Sequence, residues 1–147
     1  MRIDGFWLVC DDGVVRPVID GTADQSDGSR LPVRFLIDSG ADRSVFSAEV
    51  YGKLGLAPIE SESQIGGIGG PVDSVLVQAG LRFLDTDGNA IRFEGQIPVI
   101  LDAESLDMSI LGRDILNLFA VIIDRPGDVV CLLARGHGYG ITVARTM

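Results

Sequence analysis

The acidic residue Asp38 stands at the end of an apolar run, Phe35-Leu36-Ile37, and is followed at once by Ser39-Gly40-Ala41. A carboxylate at the end of a hydrophobic strand is costly to ionise unless it is paired or hydrogen-bonded. Its placement there therefore favours acid–base chemistry at Asp38. The tripeptide Asp-Ser-Gly is a weak signal on its own, because the same residues also make an ordinary turn.

Two later segments strengthen the chemical interpretation. The segment from Gln64 to Pro71 is rich in glycine, and the segment from Ser109 to Leu116 carries an apolar pair, a glycine and an arginine. In this order the three segments resemble the retroviral-type (retropepsin-like) aspartic proteases. That family has an Asp-Thr/Ser-Gly-Ala loop, a glycine-rich flap hairpin and a late apolar-apolar-Gly segment. The resemblance covers about residues 16–118.

The resemblance implies a role for each matching residue. Asp38, Ser39 and Gly40 would form the catalytic loop, and Asp42 and Arg113 match positions that form an ion pair beneath the site. Arg16 matches an arginine of the family that reaches the acid at the Asp42 position across the dimer. The alternative is that Arg16 and Asp42 are unrelated surface charges. The substrate-binding residues would be Ala41, Asp42, Val45, Ile65, Gly66, Gly67, Ile68 and Ile110. For Val45 and Ile110, ordinary core packing is the alternative.

Aspartic protease chemistry needs two aspartates, and this chain has one Asp-Ser-Gly; the nearest second sequence, Asp85-Thr86-Asp87-Gly88, lacks the spacing. A single copy in 147 residues implies that the other aspartate comes from a second, identical subunit related by a twofold axis. Two such carboxylates would share one proton, because like charges in contact do not both ionise cheaply. The ionised one would activate a water, and the protonated one would donate a proton. Neither a metal nor another cofactor is required.

The glycine-rich segment has two other interpretations. A phosphate-binding loop would need a lysine after the glycines or a helix that opens at them. Instead Pro71 follows, and Val72, Val75 and Val77 are typical of a strand. A plain flexible hairpin is the second interpretation, and a flap is also such a hairpin. Glycines allow its tip to adopt positive φ and to open for a substrate, which would bind beneath it in extended form.

Strands separated by turns must position these motifs. Val33, Phe35 and Ile37 alternate with Arg34, so the strand that leads to Asp38 packs one face inward. Asp11-Asp12-Gly13 and Asp87-Gly88-Asn89 predict two hairpins. Ser47 is expected to cap a short helix, and a second short helix is expected over residues 112–117.

The predicted fold class is all-β, with a retropepsin-like closed β-barrel that forms a single lobe with one or two short helices. Residues 1–147 are expected to form one domain. Its motif-bearing region spans about 16–118, and a C-terminal hairpin and tail occupy 119–147. In that tail, Ile141-Thr142-Val143 is a candidate edge strand.

The net charge, the cysteines and the apolar runs restrict the possible partners and location of the protein. A formal net charge of −9 argues against nucleic acid as a partner, because nucleic acids favour basic surfaces. Cys10 and Cys131 lie far apart without metal-type spacing, and both are expected to be buried free thiols. The first apolar stretch is too short for a signal peptide, and no apolar run is long enough to cross a membrane. A cytoplasmic location without membrane association is therefore expected.

Together these observations predict a homodimeric aspartic endopeptidase that cleaves extended polypeptides. The alternative is a retropepsin-fold dimerisation or peptide-binding module with little or no activity. A third interpretation, an acidic β-barrel whose motifs are coincidental, predicts a monomer that is unaffected by replacing Asp38.

Overall fold

The computed structural model of the chain describes residues 1–59, 63–65, 72–134, 136, 138 and 140–144, and at 63–65 and 72 it describes the backbone alone. Strands predominate in these ranges, as the all-β prediction requires. The helices are α1 (Ala48–Leu54) and α2 (Arg113–Leu116). The strands are β1 (Arg2–Asp4), β2 (Phe6–Val9), β3 (Val15–Asp24), β4 (Arg30–Ile37), β5 (Ser63–Ile65), β6 (Val72–Leu84), β7 (Ala90–Ile100), β8 (Ser109–Leu111), β9 (Ala120–Asp124) and β10 (Val129–Leu133).

The described strands lie in two sheets. The larger sheet has the order β5-β6-β3-β4-β8, with β2 beside β3 and β7 beside β6; the smaller one has the order β1-β10-β9. Neighbouring strands are antiparallel except for β4 and β8, which run parallel. The parallel pair matters for the site, because it brings the C-terminal ends of β4 and β8 side by side.

Two hairpins form where the Asp and Gly residues predict them. Between β2 and β3, Gly13 has a φ of 78°, and the Asp12 carboxylate accepts a hydrogen bond from Val14 N at 2.9 Å. Between β6 and β7, Gly88 has a φ of 84°, and Asp85 accepts one from Asn89 N at 2.8 Å. Glycine adopts this left-handed conformation without the steric cost of a Cβ. Both hairpin predictions are confirmed.

The predicted helix cap is also confirmed. Ser47 precedes α1 with an extended backbone, and its side chain accepts a hydrogen bond from Val50 N. The helix ends at Gly55, whose φ of 69° suits a left-handed C-cap. Helix α2 has four residues and lies inside the range predicted for it.

The hydrophobic core lies between the strands and both helices. The rings of Phe35 and Phe46 have centroids 6.3 Å apart, and those of Phe35 and Phe83 are 5.8 Å apart. Ile3 and Leu132 of the smaller sheet are buried in the same core. Burying a side chain of this size stabilises the fold by about 1.5–3 kcal/mol relative to leaving it exposed. The strand that ends at Asp38 is therefore anchored by one fully apolar face.

The prediction of a closed barrel is wrong, because the described strands form open sheets. A barrel requires a continuous ladder of hydrogen bonds around the whole sheet. Within the described residues, the edge strands β8 and β7 are linked through the segment at residues 45–46, where Val45 forms an isolated bridge with Ile110 of β8 and Phe46 forms one with Val99 of β7. Each bridge joins one edge strand to residues 45–46, and these residues do not form the additional strand that would close a barrel.

The structure also bears on the expectations for the C-terminal tail, the cysteines and the membrane spans. Residues 141–143 of the tail are not a strand, so that expectation is wrong. Both cysteines are free, but Cys131 is buried whereas Cys10 is only half-buried. In the part of the chain that the structure describes, neither helix has the length and apolar character that crossing a bilayer demands.

Candidate active site

Asp38 lies directly after β4, beside the end of β8. Residues Phe35 to Ile37 pair with Ser109 to Leu111, and Asp38 N donates a hydrogen bond to the carbonyl oxygen of Leu111 at 3.1 Å. The two strands therefore fix the backbone of Asp38 at the point where the apolar strand ends. The residue is half-buried in the single chain.

The loop after Asp38 folds back onto its carboxylate. Gly40 N donates to Asp38 Oδ1 at 2.9 Å, and Ala41 N donates to the Asp38 carbonyl oxygen at 3.2 Å. A Cβ at Gly40 would lie 3.2 Å from Asp38 Oδ1, so glycine allows this close approach. Ser39 is exposed beside them.

The first turn of α2 holds the next part of this loop. Arg113 N donates to the Ala41 carbonyl oxygen at 2.8 Å, and Asp114 N donates to that of Asp42 at 3.2 Å. The Arg113 guanidinium also forms an ion pair with the Asp42 carboxylate. The side chains of this pair are 48% and 82% exposed, so its contribution within one chain is of the modest size typical of surface pairs.

A second connection, absent from the sequence predictions, joins the same two segments. Ser44 is fully buried, and its N–H donates to both carboxylate oxygens of Asp114, at 2.9 and 3.0 Å. Its hydroxyl donates to Asp114 Oδ1 at 2.7 Å and accepts from Gly112 N at 3.0 Å. Ile115 N also donates to Asp114 Oδ1, at 2.9 Å. Ser44 and Asp114 are 70 positions apart, and the sequence signal was only that Asp114 lies in the Ser109–Leu116 segment and that Ser44 follows Asp42 by two positions.

Gly112 allows these two segments to touch. A Cβ at this position would lie 2.5 Å from both the carbonyl carbon and the carbonyl oxygen of Arg43. The φ of Gly112 is −99°, which other residues also adopt, so close packing explains the glycine and backbone strain does not. The Arg43 guanidinium donates a hydrogen bond to the carbonyl oxygen of Gln96 in β7 at 2.9 Å.

Val45 and Ile110 lie next to each other on these segments. Each backbone N–H donates to the other residue's carbonyl oxygen, at 2.9 and 2.8 Å. Val45 is buried and Ile110 is half-buried. The structure thus brings together Asp38 to Asp42, Val45, Ile110 and Arg113 from the residues singled out in the sequence.

The glycine-rich segment is described only at its base. Strand β5 pairs antiparallel with the start of β6, so that the backbone of Ile65 lies opposite that of Val72. Residues 66–71 lie outside the described residues, and the roles of Gly66, Gly67 and Ile68 stay predictions.

Arg16 has a partner within its own hairpin. Its guanidinium donates two hydrogen bonds to the Asp12 carboxylate, at 3.0 and 2.7 Å. These bonds lower the pKa of Asp12 to about 2 and raise the pKa of Arg16. The contact with Asp42 of a second subunit stays a prediction.

The described side chains suit acid–base chemistry at Asp38. The Asp38 carboxylate accepts a hydrogen bond from Gly40 N, and Asp38 directly follows the strand that pairs with β8, whose Ile110 is bridged to Val45. Within the ranges that the structure describes, there is no group of three or more His, Cys, Asp or Glu residues that would hold a metal ion.

Comparisons with known proteins agree with this geometry. A family model described as "Aspartyl protease" matches residues 19–115, which include the Asp38 loop and α2's first turn but not Arg16. The EIAV protease, solved in complex with the inhibitor HBY-793, is 28% identical over 69% of this chain and 86% of its own, with a TM-score of 0.51. A retropepsin-like aspartic protease from Rickettsia conorii has the same fold at 20% identity, over 90% of this chain and 86% of its own, with a TM-score of 0.53. A search of the curated proteins finds no match.

Proposed function

Because the chain belongs to the retropepsin-like aspartic protease family, we propose that it is an aspartic endopeptidase that acts as a homodimer. Each subunit contributes one Asp38. The observation that carries the proposal is the half-buried Asp38 carboxylate at the end of β4, which accepts the Gly40 N–H at 2.9 Å. The sequence holds no second Asp-Ser/Thr-Gly, so the other carboxylate comes from a second copy of the chain.

The proposed reaction uses the two carboxylates in different protonation states. They share one proton across the twofold axis, because two adjacent anions repel each other. The ionised carboxylate takes a proton from a water molecule, and the resulting hydroxide attacks the carbonyl carbon of the peptide bond. The protonated carboxylate hydrogen-bonds to the carbonyl oxygen, and a proton then passes to the departing amine. The Gly40 N–H holds the Asp38 carboxylate through its hydrogen bond. Ser39, which is exposed in the single chain, contacts the catalytic loop of the second subunit in this proposal.

The substrate in this proposal is a polypeptide in extended form. Val45 and Ile110 line apolar side-chain pockets, together with Ile65 and Ile68 of the flap. Ala41, Asp42, Gly66 and Gly67 bind the peptide through their backbones, since an extended chain offers an N–H and a carbonyl at every residue. No metal or other cofactor takes part.

Cleavage of a diverse peptide mixture, read by mass spectrometry between about pH 4 and about pH 8, tests the acid–base mechanism. Asp38→Asn keeps the shape of the side chain but removes the acid, so it is expected to abolish every cut that the wild type makes. Asp11→Asn is a matched control, because Asp11 is an exposed aspartate in the β2–β3 turn. Cuts that persist in Asp38→Asn refute the mechanism.

Mixing the two proteins tests the shared site. If subunits exchange at random, an equal amount of Asp38→Asn lowers the activity of the wild type to about one half, because mixed dimers lack one carboxylate. An Asp11→Asn protein added in the same amount does not lower it. An unchanged wild-type activity in the presence of Asp38→Asn refutes the dimeric site. A folded dimer that makes no cuts favours the alternative, a binding module of the same fold.

A further inference from the structure

Ser44 and Asp114 form a hydrogen-bond network behind the loop that carries Asp38. Three donors converge on the Asp114 carboxylate: Ser44 N, the Ser44 hydroxyl and Ile115 N, at distances between 2.7 and 3.0 Å. The Ser44 hydroxyl is used twice, since it also accepts from Gly112 N. Ser44 is 0% exposed, so the donors that it supplies are shielded from water, whereas Asp114, which accepts from them, is exposed.

The network closes a short segment of chain at both ends. Asp38 is fixed to β8 through the carbonyl oxygen of Leu111, and six residues later Ser44 is fixed to Gly112 and Asp114. The loop between these points therefore has little freedom to move relative to β8 and α2. The ion pair of Asp42 and Arg113 acts on the same loop, but it lies at the exposed surface.

We propose that Ser44 and Asp114 are positioning residues of the reaction, which hold the Asp38 carboxylate in the orientation that catalysis requires. The inference rests on the proposed function, and it gives Ser44 and Asp114 a role that the sequence analysis did not assign to them. Neither side chain reaches the substrate. They act through the backbone of residues 38–44, whose conformation decides how the two carboxylates meet.

A positioning role has a specific kinetic consequence. A shift of about 1 Å in a catalytic group lowers a rate by about 100-fold, because the reacting atoms no longer meet in the productive geometry. In the proposed function, substrate binding is shared among Ala41 and Asp42 of this loop, the apolar pockets and the flap, so a shift of the loop alone affects it much less. Loss of the network is therefore expected to lower kcat and to leave KM nearly unchanged.

The test compares four variants with the wild-type dimer. Ser44→Ala removes the hydroxyl and both of its hydrogen bonds, and Asp114→Ala removes the acceptor for all three donors. Asp114→Asn is the conservative variant, since its carbonyl oxygen still accepts from Ser44. Ser105→Ala is the matched control, because the Ser105 hydroxyl donates to Asp102 over the same 2.7 Å but in an exposed turn.

We expect kcat per folded dimer to fall by about 10-fold to 100-fold in Ser44→Ala and Asp114→Ala, with KM within about twofold of the wild-type value. Asp114→Asn restores most of kcat, and Ser105→Ala equals the wild type. Thermal unfolding of each variant gives the folded fraction at the assay temperature, so that a loss of folded protein is not counted as a loss of rate.

Each other outcome overturns the inference. An unchanged kcat per folded dimer in both alanine variants leaves the network with a role in stability alone. A rise in KM at constant kcat assigns it to substrate binding. In either case cleavage by the wild type still depends on Asp38, and the proposed function stands. A wild-type protein that makes no Asp38-dependent cuts overturns both proposals together.

Discussion

Replacing Gly112 with alanine tests whether close packing of two backbone segments supports the candidate site. The new Cβ would lie 2.5 Å from the carbonyl carbon and oxygen of Arg43, and 2.9 Å from Ser44 N. Carbon atoms pack best at about 3.5–4.0 Å, so the segments must separate by about 1 Å. The atoms in the way belong to the backbone, and they are unable to swing aside as the end of a long side chain does.

The cost has two parts. Forcing extra volume into a packed region destabilises a protein by about 1–3 kcal/mol. The separation also breaks the 3.0 Å hydrogen bond from Gly112 N to the Ser44 hydroxyl. A buried donor left without its acceptor costs about 1–3 kcal/mol more. The sum is about 2–6 kcal/mol, which lowers the melting temperature by roughly 5–25 °C in a protein of this size.

Thermal and urea unfolding, followed through the fluorescence of Trp7, measure this loss, because Trp7 is the only tryptophan in the sequence. Gly95→Ala is the matched control, since a Cβ at Gly95 in β7 meets nothing within 4 Å. Equal stability of Gly112→Ala and Gly95→Ala would refute the reasoning. It would mean that the 43–44 backbone moves away from residue 112 at no cost.

Three other substitutions test separate features. Gly52 lies inside α1 with open space around its Cβ position, so Gly52→Ala should raise the free energy of unfolding by about 0.5–1 kcal/mol, and an unchanged urea midpoint would contradict this. The bonds from Arg16 lower the pKa of Asp12 from 3.8 to about 2, so their contribution is present above 3.8 and is lost as the pH falls through about 2. The difference in urea midpoint between wild type and Asp12→Asn should therefore shrink across that range, whereas a constant difference would count against the linkage. Arg113→Ala should change the free energy of unfolding of one subunit by about 1 kcal/mol or less, because its ion pair with Asp42 is exposed. The same variant should raise the dissociation constant of the dimer. If sedimentation gives the wild-type dissociation constant, the ion pair does not contribute to the interface.

Local features of the fold could be predicted from the sequence because they are decided within a few residues. Gly13 and Gly88 mark turns through their positive φ, and Ser47 caps α1 through a hydrogen bond three residues along the chain. The alternation of Val33, Phe35 and Ile37 likewise places one face of β4 in the core. Each of these depends on neighbours in sequence, so the pattern of residues carries the information.

Features that depend on distant contacts could not be predicted from local patterns, and the Asp42–Arg113 ion pair was predicted only through the family resemblance. Ser44 and Asp114 are common residue types 70 positions apart, and no spacing rule connects them. Whether a sheet closes depends on its two edges, and in the described residues each edge strand forms only one isolated bridge to the segment at residues 45–46. The resemblance to a family of proteases located Asp38 and Arg113, but it did not reveal the network that lies behind them.

Arg113 takes part in both requirements of the proposed site, the conformation of the catalytic loop and the assembly of the dimer. Its backbone and its side chain contact different residues. Its N–H holds the Ala41 carbonyl within the subunit, while its guanidinium holds Asp42 at the exposed surface. In the proposed dimer, changes that disturb the loop should lower the activity equally at all enzyme concentrations, since every dimer is affected. Changes that weaken the surface pair should lower it mainly in dilute enzyme, where subunits dissociate. Activity measured against enzyme concentration therefore distinguishes Ser44→Ala from Arg113→Ala. If both losses disappear at high concentration, the loop network serves assembly, and the orientation of Asp38 does not depend on it.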